Sequence, residues 1–121
     1  MSDTSLLPEI LNIPDHKQGD TFAGLRFTVT ENNIARDLTG ASITMTFLPL
    51  NRRSSAQQTL TLGSGLTLVT PVSGIFDMDE QDIFWDAGEY YYECQIIYAD
   101  GLVKTPFEGT WKIVIDKVNN S

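Results

Sequence analysis

The sequence is short of basic residues, and it contains one cysteine, one histidine and no long apolar run. Eight Lys and Arg residues stand against sixteen Asp and Glu residues, which gives a formal net charge of −8. Nucleic-acid binding depends on clustered basic side chains that release counterions, and only Arg52 and Arg53 are adjacent in this chain. We therefore expect no nucleic-acid partner.

The single cysteine, Cys94, excludes a disulfide within the chain and a zinc site built from cysteines. The single histidine, His16, lies in a proline-flanked N-terminal segment. A Ser-His-Asp triad would have to form on that segment, which we expect to be the least ordered part of the chain. We predict that the protein is not an enzyme and that it has no catalytic residue and no cofactor.

No stretch of about 18 apolar residues is present, so no membrane-spanning segment is expected. The first residues begin acidic and are interrupted by Pro8 and Pro14. They therefore lack the basic start and the apolar core of a signal peptide. We expect a single domain that is made and kept soluble in a cytoplasm.

The clearest pattern lies between Trp85 and Ala99. From Glu89 onward, residues alternate between two faces, which is the period of a strand with one buried face. The inward residues are Tyr90, Tyr92, Cys94, Ile96 and Tyr98. Cys94 is thus expected to be a small core residue and not a reactive thiol. The preceding Asp86-Ala87-Gly88-Glu89-Tyr90 resembles the D-x-G-x-Y entry into strand F of immunoglobulin-like sandwiches.

Shorter runs with the same alternation predict further strands near 25–30, 41–48 and 75–78. Two leucine-containing runs joined by Gly63-Ser64-Gly65 predict a β-hairpin over 60–68. A capping residue followed by acids predicts one helical turn over 79–84. Pro106 and Gly109 predict an edge position or a bulge in the last strand, at 102–117.

Seven to nine short strands with turn signals between them predict an all-β fold, an antiparallel β-sandwich. The expected organisation is an extended arm at 1–18, the sandwich at 19–117 and a tail at 118–121. The expected core consists of the inward residues of the strands: Leu25, Phe27, Val29, Ile43, Met45, Phe47, Leu60, Leu62, Tyr90, Tyr92, Cys94, Ile96, Trp111, Ile113 and Ile115.

The arm carries apolar residues between prolines that forbid a long helix. These residues are Leu6, Leu7, Ile10, Leu11 and Ile13. Two interpretations stand: the arm is an edge strand on its own domain, or it docks on a neighbouring subunit. The second interpretation predicts a homo-oligomer or a strand-exchanged assembly, and it makes these five residues candidates for partner binding.

Short motifs recur at the predicted turns and strand centres of residues 19–117. They are Gly19-Asp20-Thr21, Asp37-Leu38-Thr39-Gly40-Ala41, Gly74-x-Phe76, Gly88-x-Tyr90-x-Tyr92, Asp100-Gly101 and Gly109-x-Trp111-x-Ile113 with Asp116. In order and spacing these motifs resemble the small immunoglobulin-like domains of bacteriophage tail, baseplate and fibre proteins, including the N-terminal domain of baseplate upper proteins.

The resemblance implies an immunoglobulin-like sandwich that acts as a non-enzymatic structural or adaptor subunit of a phage particle. The implied place is the tail, baseplate, neck or a fibre attachment, and the implied partners are other virion proteins. The implied localisation is the virion, after synthesis in the host bacterial cytoplasm. Family members are usually multidomain, whereas this chain ends soon after its last predicted strand. We therefore expect either a stand-alone subunit or a resemblance that concerns the fold alone.

Seven acidic residues and no basic residue lie between positions 77 and 93. Asp77, Asp79 and Asp82 could present oxygens to a calcium ion. The run nevertheless lacks the glycine and the terminal glutamate of a calcium-binding loop. We interpret it as a solvated acidic face and predict no metal. An intermediate hypothesis is that this face meets a basic patch on a partner.

Four aromatic residues, Phe84, Trp85, Tyr91 and Trp111, could stack on sugar rings. Trp111 shares its predicted face with two isoleucines and is expected in the core. Tyr91, on an outward face, and Trp85, in a turn, are the surface candidates. A protein interface is favoured because exposed aromatics mark binding hot spots. The alternative function is a carbohydrate-binding module for host-surface glycans.

Overall fold

Strands form almost all of the regular structure. The computed structural model describes residues 9–50, 58–83 and 85–115, with thirteen strands and a 3-10 helix at Pro71–Ser73 in that part of the chain. The strands are β1 (Glu9–Ile10), β2 (Ile13–Lys17), β3 (Thr21–Phe22), β4 (Leu25–Thr28), β5 (Thr30–Glu31), β6 (Ile34–Ala35), β7 (Ser42–Pro49), β8 (Gln58–Leu62), β9 (Gly65–Thr70), β10 (Ile75–Met78), β11 (Gln81–Asp82), β12 (Gly88–Ile97) and β13 (Val103–Val114). Five of them are two residues long, and the other eight agree with the predicted seven to nine.

One long ladder runs in the order β1, β13, β12, β7, β8, β9, β10, β4, with β2 also paired to β13. In a flat sheet β13 and β4 would lie about 29 Å apart, at roughly 4.8 Å per strand. Instead the rings of Phe27 on β4 and Phe107 on β13 lie 5.3 Å apart. The ladder therefore folds over into a front sheet (β1, β2, β13, β12, β7 and β8) and a back sheet (β9, β10 and β4), which confirms the predicted sandwich.

The strand order is that of an immunoglobulin-like sandwich. Strands β13, β12 and β7 occupy the positions of G, F and C, and β9, β10 and β4 those of D, E and B. The hydroxyl of Tyr90 donates to the carbonyl oxygen of Asp86 at 2.5 Å. This bond is the tyrosine corner that the D-x-G-x-Y motif predicts. Two residues later, Tyr92 stands where antibody domains carry a disulfide cysteine.

The side chains between the two sheets confirm most of the predicted core. Of the fifteen predicted residues, Leu25 and Leu62 are only partly buried at its margin. Ile115 is exposed, and its prediction is wrong because β13 ends at Val114. Further buried residues complete the core: Ile13, Leu38, Ala41, Leu66, Phe76, Met78, Ile83, Trp85, Tyr98 and Phe107.

The predicted hairpin over 60–68 is wrong. Strands β8 and β9 are parallel and share two residue pairs, Thr61 with Gly65 and Leu62 with Leu66. The glycine-rich link carries the chain from the front sheet to the back sheet, so that Leu60 and Leu66 both enter the core. Strand β9 then finds its antiparallel partner in β10.

The predicted helical turn over 79–84 is also wrong within the described residues. Gln81 and Asp82 form β11, which pairs with β3. The Thr21 hydroxyl donates to the Asp82 carboxylate at 2.6 Å, and an extended backbone places Ile83 fully in the core. The described helical turn lies earlier, at Pro71–Ser73, and ends at Gly74 with φ 72°.

The predicted bulge in the last strand is present. Cys94 pairs with Phe107 and Ile96 pairs with Lys104. Two residues of β13, Thr105 and Pro106, therefore stand opposite the single residue Gln95. Pro106 has no backbone N–H, so a bulge is a position that it can occupy without breaking the ladder.

The described part of the arm lies on its own domain, as two strands parallel to β13. Core side chains donate hydrogen bonds to arm carbonyls: Tyr92 Oη to Leu11 at 2.5 Å and Trp111 Nε1 to Pro14 at 2.9 Å. The arm therefore satisfies polar atoms of two core side chains, and residues 9–18 belong physically to the sandwich.

We expect the thiol of Cys94 to be unreactive in the folded protein. Burial raises the pKa of its thiol to about 12, and its side chain is fully buried. Because the thiolate is the reactive form, we expect a disulfide reagent to leave the folded protein unmodified while it labels the urea-unfolded chain completely. Rapid labelling under native conditions would show that the strand opens or that the thiol is accessible.

Candidate protein-binding surface

The predicted partner-binding residues of the arm are not equivalent in the structure. Leu6 and Leu7 lie outside the described residues. Ile10 is exposed, Leu11 is half-buried and Ile13 belongs to the core. Ile13 is therefore wrong as a surface candidate, because it pairs with Trp111 on β13 and shares its inward side.

Trp85 is wrong as a surface residue. Its side chain is buried and packs edge-on against Tyr90 and Trp111, with ring centroids 5.5 and 5.3 Å away. The side chain of Gln18 donates to its carbonyl oxygen at 2.9 Å. The turn before β12 thus folds inward beneath the arm, and Phe84 beside it lies outside the described residues.

The three carboxylates weighed as calcium ligands each have a different protein partner. Asp77 accepts from Arg26 Nε at 2.8 Å, and this bond holds the pKa of its carboxyl below the ordinary value. Asp79 accepts from the Thr67 hydroxyl at 2.8 Å, and Asp82 accepts from Thr21. Among the residues that the structure describes, no cluster of three or more His, Cys, Asp or Glu could hold a metal ion.

The outward surface of the front sheet remains as the candidate site, and we call it the front face. Its middle strand, β12, presents the outward residues that alternate with the buried ones: Tyr91, Glu93, Gln95 and Ile97. Threonines flank them, since Thr46 on β7 lies opposite Glu93 and Thr110 on β13 lies opposite Tyr91. Continuous pairing from β8 to β13 makes this a stiff surface.

An acidic pair occupies the centre of the front face. Glu93 on β12 lies directly opposite Glu108 on β13. The hydroxyl of Tyr91 lies 2.8 Å from Glu108 Oε1 and 3.1 Å from Glu93 Oε2. Desolvation, followed by the hydrogen bond with Glu108, raises the pKa of Tyr91 above its ordinary value. At neutral pH this hydroxyl therefore supplies one hydrogen to two carboxylates.

An exposed apolar pair lies at one end of the front face. Ile97 on β12 and Val103 on β13 form this cross-strand pair. Their exposed fractions are 43% and 51%. The turn between them is well fixed, because Gly101 N donates to the Tyr98 carbonyl at 2.8 Å. Contiguous exposed apolar side chains of this kind mark interaction sites.

A second polar cluster lies beside the β5–β6 hairpin. Glu31 forms ion pairs with Arg36 at 3.1 Å and with Lys104 at 3.7 Å. The Arg36 guanidinium lies 4.4 Å from the centre of the Tyr98 ring. Cavities of about 350 and 650 Å³ flank it. Both cations already contact Glu31, so we interpret the cluster as the anchor of the hairpin.

Sequence reasoning identified Tyr91 and missed Glu108. Glu93 appeared only as part of the acidic run, because its cross-strand neighbour depends on the register of β12 against β13. The alternation of β12 places Glu93 outward, but only the bulge at Pro106 decides which residue of β13 faces it.

No helix in the described ranges is long and apolar enough to cross a membrane.

No protein-family model matches the chain, and no curated protein matches it. Among solved structures, the chain is similar to the crystal structure of CopC from Methylosinus trichosporium OB3b. The two share 9% sequence identity with a TM-score of 0.47, and the match covers 84% of this chain and 85% of that one.

Proposed function

We propose that this protein is a non-enzymatic structural adaptor that docks on a partner protein through its front face. The observation that supports this proposal is the combination on one rigid sheet of an acidic pair, Glu93 and Glu108, with the exposed apolar pair Ile97 and Val103. Interfaces combine apolar anchors with polar groups in the same way. The mechanism is static, and it depends on shape and charge.

The front face has a suitable size for such a contact. Strands β8, β7, β12 and β13 span about 19 Å across, and the ten residues of β12 extend about 33 Å. The projected area is thus on the order of 600 Å², which approaches the roughly 800 Å² that each partner buries in a typical stable complex. A single protein partner could cover it.

The proposed setting is a phage particle, in the tail, baseplate, neck or a fibre attachment, where other virion proteins are the partners. This setting rests on the motifs of residues 19–117. The alternative of a glycan-binding module needs exposed aromatic rings, and Trp85 is buried while both carboxylates engage the Tyr91 hydroxyl. We therefore propose a protein as the ligand.

Quantitative mass spectrometry of purified particles tests this setting. We expect the chain at a fixed ratio to the major structural proteins in every preparation. Its presence in the lysate together with its absence from the particles would contradict a virion role. The same preparations would reveal a non-structural contaminant, because its ratio would vary between purification steps.

Self-association through the arm is part of the proposal. Deleting residues 1–18 would remove the acceptors of Tyr92 and Trp111 and would destabilise the fold. Deleting residues 1–8 leaves those contacts in place. Light scattering should then show fewer subunits per oligomer for the shortened protein, and an unchanged number of subunits would show that residues 1–8 make no assembly contact.

A further inference from the structure

We infer that the partner of the front face is a basic protein surface that places an arginine between Glu93 and Glu108 and an apolar side chain on the pair of Ile97 and Val103. This inference rests on the proposed function and deepens it. It names the chemistry that the front face would recognise, and it predicts the spacing of two groups on the partner.

The acidic pair places two like charges directly opposite each other, since Glu93 pairs with Glu108. Like charges directly opposite each other on neighbouring strands destabilise a sheet. In the described ranges, the ion pairs engage other acids: Arg26 with Asp77, and both Arg36 and Lys104 with Glu31. The acidic pair therefore has a net negative charge that no described ion pair compensates. A cation from outside would relieve it.

The arrangement of acceptor oxygens in the acidic pair favours a particular shape of cation. Tyr91 offers one hydrogen to two carboxylates that each have two acceptor oxygens. An arginine guanidinium is a planar fork of donors that can bind carboxylates on both sides. Because Glu93 and Glu108 lie on adjacent paired strands, both could accept from one such fork. Lysine would satisfy the charge but supplies no planar fork.

The geometry of β12 determines the distance between the two groups on the partner. Glu93 and Ile97 are four residues apart on β12 and point to the same side. At about 3.3 Å per residue this separation is roughly 13 Å. The arginine and the apolar side chain of the partner should therefore also lie roughly 13 Å apart. Positions i and i+4 of an extended strand meet this condition.

A second copy of the chain does not fit this surface. Two front faces brought together would face two acidic pairs toward each other, and the whole chain carries a formal charge of −8. Repulsion opposes that contact. Complementary charge therefore favours a basic partner. The experiment must also be able to detect self-association through the front face.

The test uses a blocked extended peptide with arginine and isoleucine four positions apart, separated by threonines. A second peptide carries citrulline, a neutral isostere, in place of arginine. Binding to the full-length protein is followed by NMR chemical shifts at low salt. We expect shifts centred on Tyr91, Glu93, Glu108 and Ile97 with the arginine peptide, and none with the citrulline peptide.

Two double variants lose the same number of negative charges. Comparing them distinguishes attraction by the acidic pair from attraction by the net charge of the whole protein. The double variant Glu93→Gln with Glu108→Gln should lower the affinity for the arginine peptide by about tenfold or more. Glu80→Gln with Asp20→Asn removes two exposed acids that lie outside the front-sheet strands, and it should leave the affinity of the peptide within about twofold.

Equal weakening in both double variants, or shifts spread over all acidic loops, would show attraction by net charge only and would overturn the inference. Absence of shifts would overturn it as well. Front-face shifts that grow with protein concentration, without peptide, would assign the surface to a second copy. If the peptide fails while the chain is found in particles at a fixed ratio, the arginine inference fails and the proposed function stands.

Discussion

Replacing Gly109 by alanine is expected to displace the arm strands from β13 and to destabilise the fold. A Cβ atom at this position would lie 2.3 Å from the carbonyl oxygen of Leu11. Gly109 has no positive φ, so the obstacle is steric and not conformational. Moving Leu11 leaves the buried Tyr92 hydroxyl without its acceptor, and moving Pro14 does the same to Trp111. We expect a loss of roughly 2–5 kcal/mol in unfolding free energy.

Urea unfolding followed by tryptophan fluorescence measures this loss. Hydrogen exchange locates it, because the amides of β1 and β2 should lose protection before those of β7. Lys112→Ala is the matched control, since Lys112 is an exposed residue of the same strand, and it should change stability by less than about 0.5 kcal/mol. Unchanged stability with a protected arm in Gly109→Ala would contradict the close approach of Leu11.

Replacing Trp111 by alanine is expected to have an effect of similar size by a different route. The indole is fully buried, and its ring lies 5.0 Å from Phe22, 5.9 Å from Phe47 and 5.3 Å from Trp85. Removing a buried tryptophan costs about 3–5 kcal/mol through lost transfer free energy and the cavity that remains. The midpoint of urea unfolding should fall accordingly.

Trp111→Phe separates packing from hydrogen bonding at the same position. The phenyl ring keeps much of the ring packing but cannot donate to the Pro14 carbonyl. We expect a smaller loss, about 1–3 kcal/mol, together with weaker protection of β2. If both Trp111 variants unfolded at the same urea concentration as the native protein, Trp111 would not be the centre of the aromatic core.

The strands that alternate strictly could be predicted from the sequence. In β7 and β12 each second residue is buried, and the period alone indicates both the strand and its inward face. The tyrosine corner was readable because a glycine and a turn precede Tyr90. Both features are local, so they need no knowledge of which strands become neighbours.

The errors arise where a residue's environment depends on distant segments. Gly63-Ser64-Gly65 has the composition of a hairpin turn, but Leu60 and Leu66 enter the core from facing sheets, which tertiary packing decides. The sequence predicts Trp85 as an exposed turn residue, but its indole packs against the rings of Phe47 and Trp111, which come from distant strands. Neither outcome has a local signature.

The candidate site also has one part that the sequence predicts and one part that depends on distant segments. Tyr91 and Glu93 follow from the outward face of one strand. The acidic pair exists only because the bulge at Pro106 sets Glu108 opposite Glu93. A shift of one residue in that register would turn Glu108 inward, so the pair could not be derived before the ladder was known.

Hydroxyl-radical footprinting of the chain, free and in purified particles, tests the central claim most directly. The claim is that the front face is covered by a partner in the assembly. We predict that Tyr91, Ile97 and Val103 become protected in the particle, while Val69 and Val72, exposed on the back-sheet side, react as they do in the free protein. Protection of Val69 and Val72 with an unchanged front face would contradict the claim.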